Sequence, residues 1–79
     1  MKHTFHERFS ELIQHSDLTY EEIAHGLDLK SKGTIAKYAS GQIQNIGPVM
    51  IDKIAAFFGV SPIWLLGYTD DKHYIIKKN

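Results

Sequence analysis

The sequence predicts an all-α protein, a compact bundle of five helices, and three observations predict it. Residues suited to capping a helix N-terminus stand ahead of apolar residues spaced three and four apart, at Thr4, Thr19, Ser31 and Ser61. Glycine and proline punctuate the chain between them, with Gly41, Gly59 and Gly67 placed as stops and Pro48 and Pro62 at first helical positions. The segments so delimited leave almost no room for strands.

The first helix opens at Thr4, where Thr-x-x-Glu to Glu7 is a capping box, and Phe5, Phe9, Leu12 and Ile13 fall on one face before an end near His15. The second opens at Thr19 with a capping box to Glu22, and Leu18 ahead of the cap is placed to pack on Ile23. It is short, ending near Leu27. Ser31 caps a third helix in which Ile35, Tyr38 and Ala39 share one side while Lys32, Gly33, Ala36 and Lys37 share the other. Gln42 to Ile46 read as a polar loop. Pro48 starts a fourth helix with Ile51, Ile54, Ala55 and Phe58 inward, and Ser61-Pro62 starts a brief fifth containing Ile63, Trp64, Leu65 and Leu66. The helical domain is expected over residues 4–68, with 69–79 a C-terminal tail or the start of a linker.

Seventy-nine residues make one domain at most, and a chain this size buries only about 60% of the surface it exposes unfolded, too little to wall a deep enzyme cleft. It has no cysteine, which removes disulfides and thiolate metal sites together and fits a reducing cytoplasm. No apolar run approaches the roughly 20 residues that span a bilayer, and the N-terminus enters a polar helix without an apolar signal segment, so neither membrane insertion nor secretion is expected. His3 and His6 lie three apart, with His15, His25 and His73 elsewhere, and no carboxylate or cysteine cluster completes a metal site around them. No nucleophile, phosphate loop or acid–base pair stands out, so the reading is no enzyme, no cofactor and no small-molecule substrate.

Nine basic and nine acidic residues balance overall, which argues against a nucleic-acid partner, but they are unevenly placed. Residues 1–28 hold two basic and six acidic side chains, a net −4, whereas 29–45 hold Lys30, Lys32 and Lys37 and no acid, a net +3. Two short helices joined by a tight turn, the second basic on its outer face, suit insertion of that second helix into the major groove of DNA. Lysine there donates to guanine O6 and N7, threonine donates, accepts or touches a thymine methyl, and glycine lets the backbone approach.

Leu18-Thr19-Tyr20-Glu21-Glu22-Ile23-Ala24, then Thr34-Ile35-Ala36-Lys37-Tyr38 with Gly41, then Ile54-Ala55, Phe58-Gly59-Val60-Ser61 and Trp64-Leu65-Leu66-Gly67, in this order and spacing, resemble the lambda-repressor-like helix-turn-helix domains of the Cro/CI and XRE type. The resemblance runs from about Phe5 to Tyr68 and is to the DNA-binding half of phage-type repressors, in which case a C-terminal half governing oligomers or induction lies beyond this chain. It implies a five-helix lambda-repressor-like bundle that binds double-stranded operator DNA as a regulator, most simply a repressor. By position it implies base contacts from Lys32, Gly33, Thr34 and Lys37, and phosphate contacts from Tyr20, Lys30, Ser31, Ser40, Gln42 and Asn45. Two positions depart from the family's pattern: Tyr20 stands where glutamine is usual, and Asp28 stands at the turn glycine, with one further residue before the third helix.

So few basic residues bind weakly alone, so a homodimer reading a palindromic operator is expected, with recognition helices about 34 Å apart. Ile63, Trp64, Tyr74, Ile75 and Ile76 are the expected dimer surface, although a tryptophan such as Trp64 is more often a core plug than an interface anchor. The alternative is a protein-interaction module on the same fold, of the antitoxin or antirepressor kind, for which the zero net charge, Tyr20 and Asp28 speak.

Overall fold

Four of the five helices begin where a side chain takes up an amide hydrogen that has no partner in the first turn, and the fourth along the chain begins at a proline instead. In the computed structural model, which describes residues 4–75, Thr4 precedes α1 (Phe5–Gln14) and Thr19 precedes α2 (Tyr20–Gly26). Both form the expected capping boxes, with the Thr4 amide donating to Glu7 Oε1 at 2.9 Å and the Thr19 amide to Glu22 Oε1 at 2.8 Å. Ser31 Oγ accepts from the Gly33 amide at 3.0 Å and opens α3 (Lys32–Ser40). Pro48 occupies the first position of α4 (Pro48–Phe58), and Ser61 Oγ accepts from the Ile63 and Trp64 amides at the start of α5 (Pro62–Leu65). The five helices stand where the sequence places them, and the protein is all-helical as expected.

Three helices end alike. The amides of Leu29, Val60 and Tyr68 reach back to the carbonyls of Ala24, Ala55 and Ile63 at 2.8, 2.9 and 3.1 Å. This closure needs one left-handed residue just before the donor. Gly59 and Gly67 supply it after α4 and α5, and Asp28, with φ 59°, supplies it after α2. The departure at Asp28 therefore leaves the turn intact, because a short polar side chain tolerates the left-handed region better than most.

The core holds Phe9 and Leu12 of α1, Ile23, Ala24 and Leu27 around α2, Ile35 of α3, Ile51, Ile54 and Ala55 of α4, and Trp64 and Leu65 of α5. Burying each large side chain contributes roughly 1.5–3 kcal/mol, against roughly 1 kcal/mol for a cap, so the caps set where helices start and the core decides how they sit. α3 lies on both α2 and α1, and α5 on both α4 and α1. Tyr38, on the inner side of α3, turns its ring edge-on to Phe5 and Phe9 of α1, each centroid 6.2 Å away. Gly26 lies so close to the Phe57 ring of α4 that no Cβ fits between them.

Beyond α5 the chain returns to the bundle. The Ser61 amide donates to the Lys72 carbonyl at 2.8 Å, Arg8 pairs with Asp70 at 3.3 Å, and Lys72 pairs with Glu11 at 3.6 Å. Residues 69–75, expected as a tail, are thus tied to α1 and to the start of α5. Trp64 sits beneath this return, 2% exposed, with the Arg8 guanidinium 4.4 Å and the Lys72 ammonium 5.1 Å from its ring centroid.

Candidate nucleic-acid interface

Five residues, Leu27 to Ser31, join α2 to α3. Leu27 is buried, Leu29 packs on the core, and the left-handed Asp28 lets the chain reverse between them. Both helices are thereby anchored on their inner sides, through Ile23, Ala24 and Leu27 for α2 and through Ile35 for α3. With Ile35 fully buried, helical geometry turns Gly33, Ala36, Lys37 and Ser40 to the opposite side.

Of the expected base contacts, Lys32 and Lys37 are exposed and Gly33 and Thr34 are half-buried, Thr34 lying at the flank of the outward face. Of the expected phosphate contacts, Tyr20, Lys30, Ser31, Ser40, Gln42 and Asn45 are all exposed. Tyr20, Lys32 and Gly33 line one surface depression of about 500 Å³ between the start of α2 and the first turn of α3. Lys30, Ser31 and Lys32 line a second of about 400 Å³ beside it. Lys30, Lys32 and Lys37 form no ion pair among the described residues, so their ammonium groups carry no intramolecular partner that DNA would have to displace.

The hydroxyls differ in what they have left to give. Ser31 Oγ accepts from the Gly33 amide, and its own proton stays available to a phosphate oxygen while the cap persists. Ser40 Oγ already donates to the Lys37 carbonyl at 3.3 Å and accepts from the Gln42 amide, so a phosphate contact requires its hydroxyl to turn away from the helix end. Tyr20 stands 40% exposed at the first position of α2.

Six residues at these depressions are absent from the expected set: Thr19 and Ala36 at the first, Ala24, His25 and Leu29 at the second, and Glu21 at both. Ala36 lines the first, three positions after Gly33 on the outer side where the sequence already places it, although it is not among the expected contacts. Glu21 lines both, so a carboxylate borders the otherwise basic segment at Lys32. Its charge in sequence belongs to the acidic first third of the chain, and only the packing of α2 on α3 brings it here.

The expected dimer residues divide. Ile63 is half-buried and Tyr74 and Ile75 are exposed, all three lining a mainly apolar groove of about 450 Å³ with Gly59, Val60 and Pro62. Trp64 does not join them: it is a core plug under Arg8 and has no surface to offer a partner. Ile76 lies outside the described residues.

Among the described residues no group of three His, Cys, Asp or Glu side chains could hold a metal ion, and no helix is long and apolar enough to cross a membrane. No curated protein and no solved structure matches the chain. The helix-turn-helix family model matches residues 10–65, which takes in the second half of α1 and all of α2, the turn, α3, α4 and α5. With that match over a helix pair whose second member carries unpaired lysines outward, the chain belongs to the XRE, lambda-repressor-like helix-turn-helix family and is a DNA-binding regulator.

Proposed function

We propose that the protein is a sequence-specific repressor that lays α3 in the major groove of a palindromic operator and binds it as a homodimer in the cytoplasm. The observation that carries this reading is the exposed side of α3, where Lys37 projects opposite the buried Ile35 and Lys32 is exposed in the first turn, neither with an ion pair among the described residues. Lys32, Gly33, Thr34 and Lys37 read base edges. Each well-formed contact of a lysine with guanine discriminates by about 1–3 kcal/mol. Tyr20, Lys30, Ser31, Ser40, Gln42 and Asn45 fix the register on phosphates, which carry no sequence information themselves.

Dimerisation supplies what one neutral chain lacks. The basic face offers three lysines, and each neutralised phosphate releases about 0.9 of a counterion, so doubling the face doubles the electrostatic part of the affinity. Ile63, Tyr74, Ile75 and Ile76 form the dimer surface, supported by the exposed Leu66 and Tyr68 at the end of α5.

Selection from a random pool of duplex DNA at near-physiological salt, with the wild type and a Lys32→Ala, Lys37→Ala double variant, tests the proposal. A two-fold-symmetric motif enriched by the wild type and lost in the variant is the expected result. Failure of the wild type to enrich any sequence, at low salt as well, would falsify it and favour the protein-interaction module, for which the zero net charge and Glu21 beside Lys32 speak.

A further inference from the structure

We propose that Ala36 is a further specificity-determining residue, whose methyl group reads the C5-methyl group of a thymine in the operator. The proposal rests on the DNA-binding reading above and deepens it, adding a fifth base-reading position on α3 and naming the base it selects.

The position of Ala36 is fixed by residues already assigned to DNA. It lines the depression of about 500 Å³ that α3 shares with the start of α2. Tyr20, assigned to a phosphate, lines the α2 side of that depression, and Lys32 and Gly33, assigned to base edges, line it on α3. A duplex held by Tyr20 on one side and by Lys32 on the other therefore lies across the depression, over the exposed Ala36.

The chemistry of the depression selects what enters it. Its lining is mainly apolar, and its two charged side chains, Lys32 and Glu21, are opposite in sign, so it offers a phosphate no net attraction. Gly33 keeps it open. That glycine has ordinary helical backbone, and a Cβ there would meet only the Ser31 hydroxyl, at 3.2 Å, with no atom of α2 within 4 Å. The fold thus has no use for a glycine that costs helix stability relative to alanine, whereas a base edge approaching Ala36 gains the room it leaves. Of the groups that the four bases turn into the major groove, the thymine methyl is the apolar one; cytosine presents its amino group and the purines their N7 and exocyclic groups. A methyl carried directly on Cβ has no rotamers to lose on contact, so Ala36 meets the thymine methyl as a fixed apolar wall.

Exchanging thymine for deoxyuridine removes that methyl from the duplex and leaves its hydrogen-bonding groups in place. The probe is the motif recovered by the selection described above, with each thymine position of its half-sites exchanged in turn. For the wild type, one thymine position is expected at which the exchange weakens binding about fourfold per half-site, the scale of one methyl group withdrawn from apolar contact. The factor is expected to be the same at low and at high salt, unlike the contribution of a lysine. In Ala36→Gly the exchange at that position is expected to cost less than about twofold, while exchanges elsewhere keep their wild-type effects. Ala36→Val fills the place with its own methyl groups and is expected to bind the deoxyuridine duplex at least as tightly as the thymine one. No thymine position sensitive to the exchange, or a sensitivity that either variant leaves at its wild-type size, overturns the assignment and leaves the DNA-binding reading standing. A wild type that enriches no sequence overturns both.

Discussion

Asp28 occupies the left-handed position that glycine occupies after α4 and α5, and that makes the turn before the recognition helix the most exposed point of the fold to a single Cβ. Two variants isolate the effect. Asp28→Gly and Asp28→Ala both remove the same carboxylate, the same unfavourable negative charge at the C-terminal end of α2, and the same exposed 3.8 Å pair with Lys53. They differ only in the methyl group. At φ 59° that methyl costs roughly 1–2 kcal/mol, and the greater freedom of glycine in the unfolded chain returns roughly 0.4–1 kcal/mol of it. Asp28→Gly is therefore expected to exceed Asp28→Ala in stability by about 1 kcal/mol, which in a domain of this size separates their melting temperatures by roughly 4–8 °C. Thermal unfolding followed by circular dichroism reads the difference, and urea unfolding at constant m-value checks that it is a change in stability. Equal melting temperatures, or a more stable alanine variant, would show that residue 28 is not left-handed and that α3 is set at its angle by something other than this closure.

Three further outcomes follow from side chains that the sequence alone does not place. Replacing Glu21 by Gln removes the carboxylate that borders Lys32, and operator and non-specific DNA are both expected to bind several-fold more tightly at low salt, with the gain fading as salt screens it; weaker binding would mean that Glu21 itself makes a base contact. Arg8→Ala opens a space over Trp64 and unties Asp70, so a loss of about 2–4 kcal/mol is expected together with a red shift of the single tryptophan's fluorescence; an unchanged spectrum would refute the placement of Trp64 beneath the guanidinium. Asp70→Asn is expected to cost less than about 1 kcal/mol, because that carboxylate is 89% exposed and its pairing is screened by solvent.

Arg8 itself shows why such placements escape a reading of the sequence. Its residue type argues for the surface, yet it is 7% exposed, with its Nε unpartnered among the described residues. What holds it is an acid sixty-two positions away and an aromatic face, neither of which has any sequence relation to α1.

The features that could be read in advance are those closed within a few residues of chain. Thr4 with Glu7, Thr19 with Glu22, Ser31 with Gly33 and Ser61 with Trp64 are hydrogen bonds between neighbours two or three apart, so the same residues that predict a helix start also make it. Gly41, Gly59 and Gly67 end helices for an equally local reason, the sign of φ. Most of the outward set on α3, namely Gly33, Ala36 and Lys37, was legible as well, since one buried residue, Ile35, fixes the phase of the helix; the same phase sets Lys32, three residues ahead of Ile35, at its flank.

The sequence by itself thus determined five helices, their starts and stops, and which face of α3 is offered to solvent, because each depends on bonds and angles spanning at most one or two helical turns. Only the tertiary structure decided that Trp64 is a plug and no interface anchor, that residues 69–75 return to α1, that Glu21 borders Lys32, and that His6 lies against Gly41. These are meetings of surfaces distant in the chain, and which surfaces meet is settled by how the apolar faces of all five helices can be buried at once.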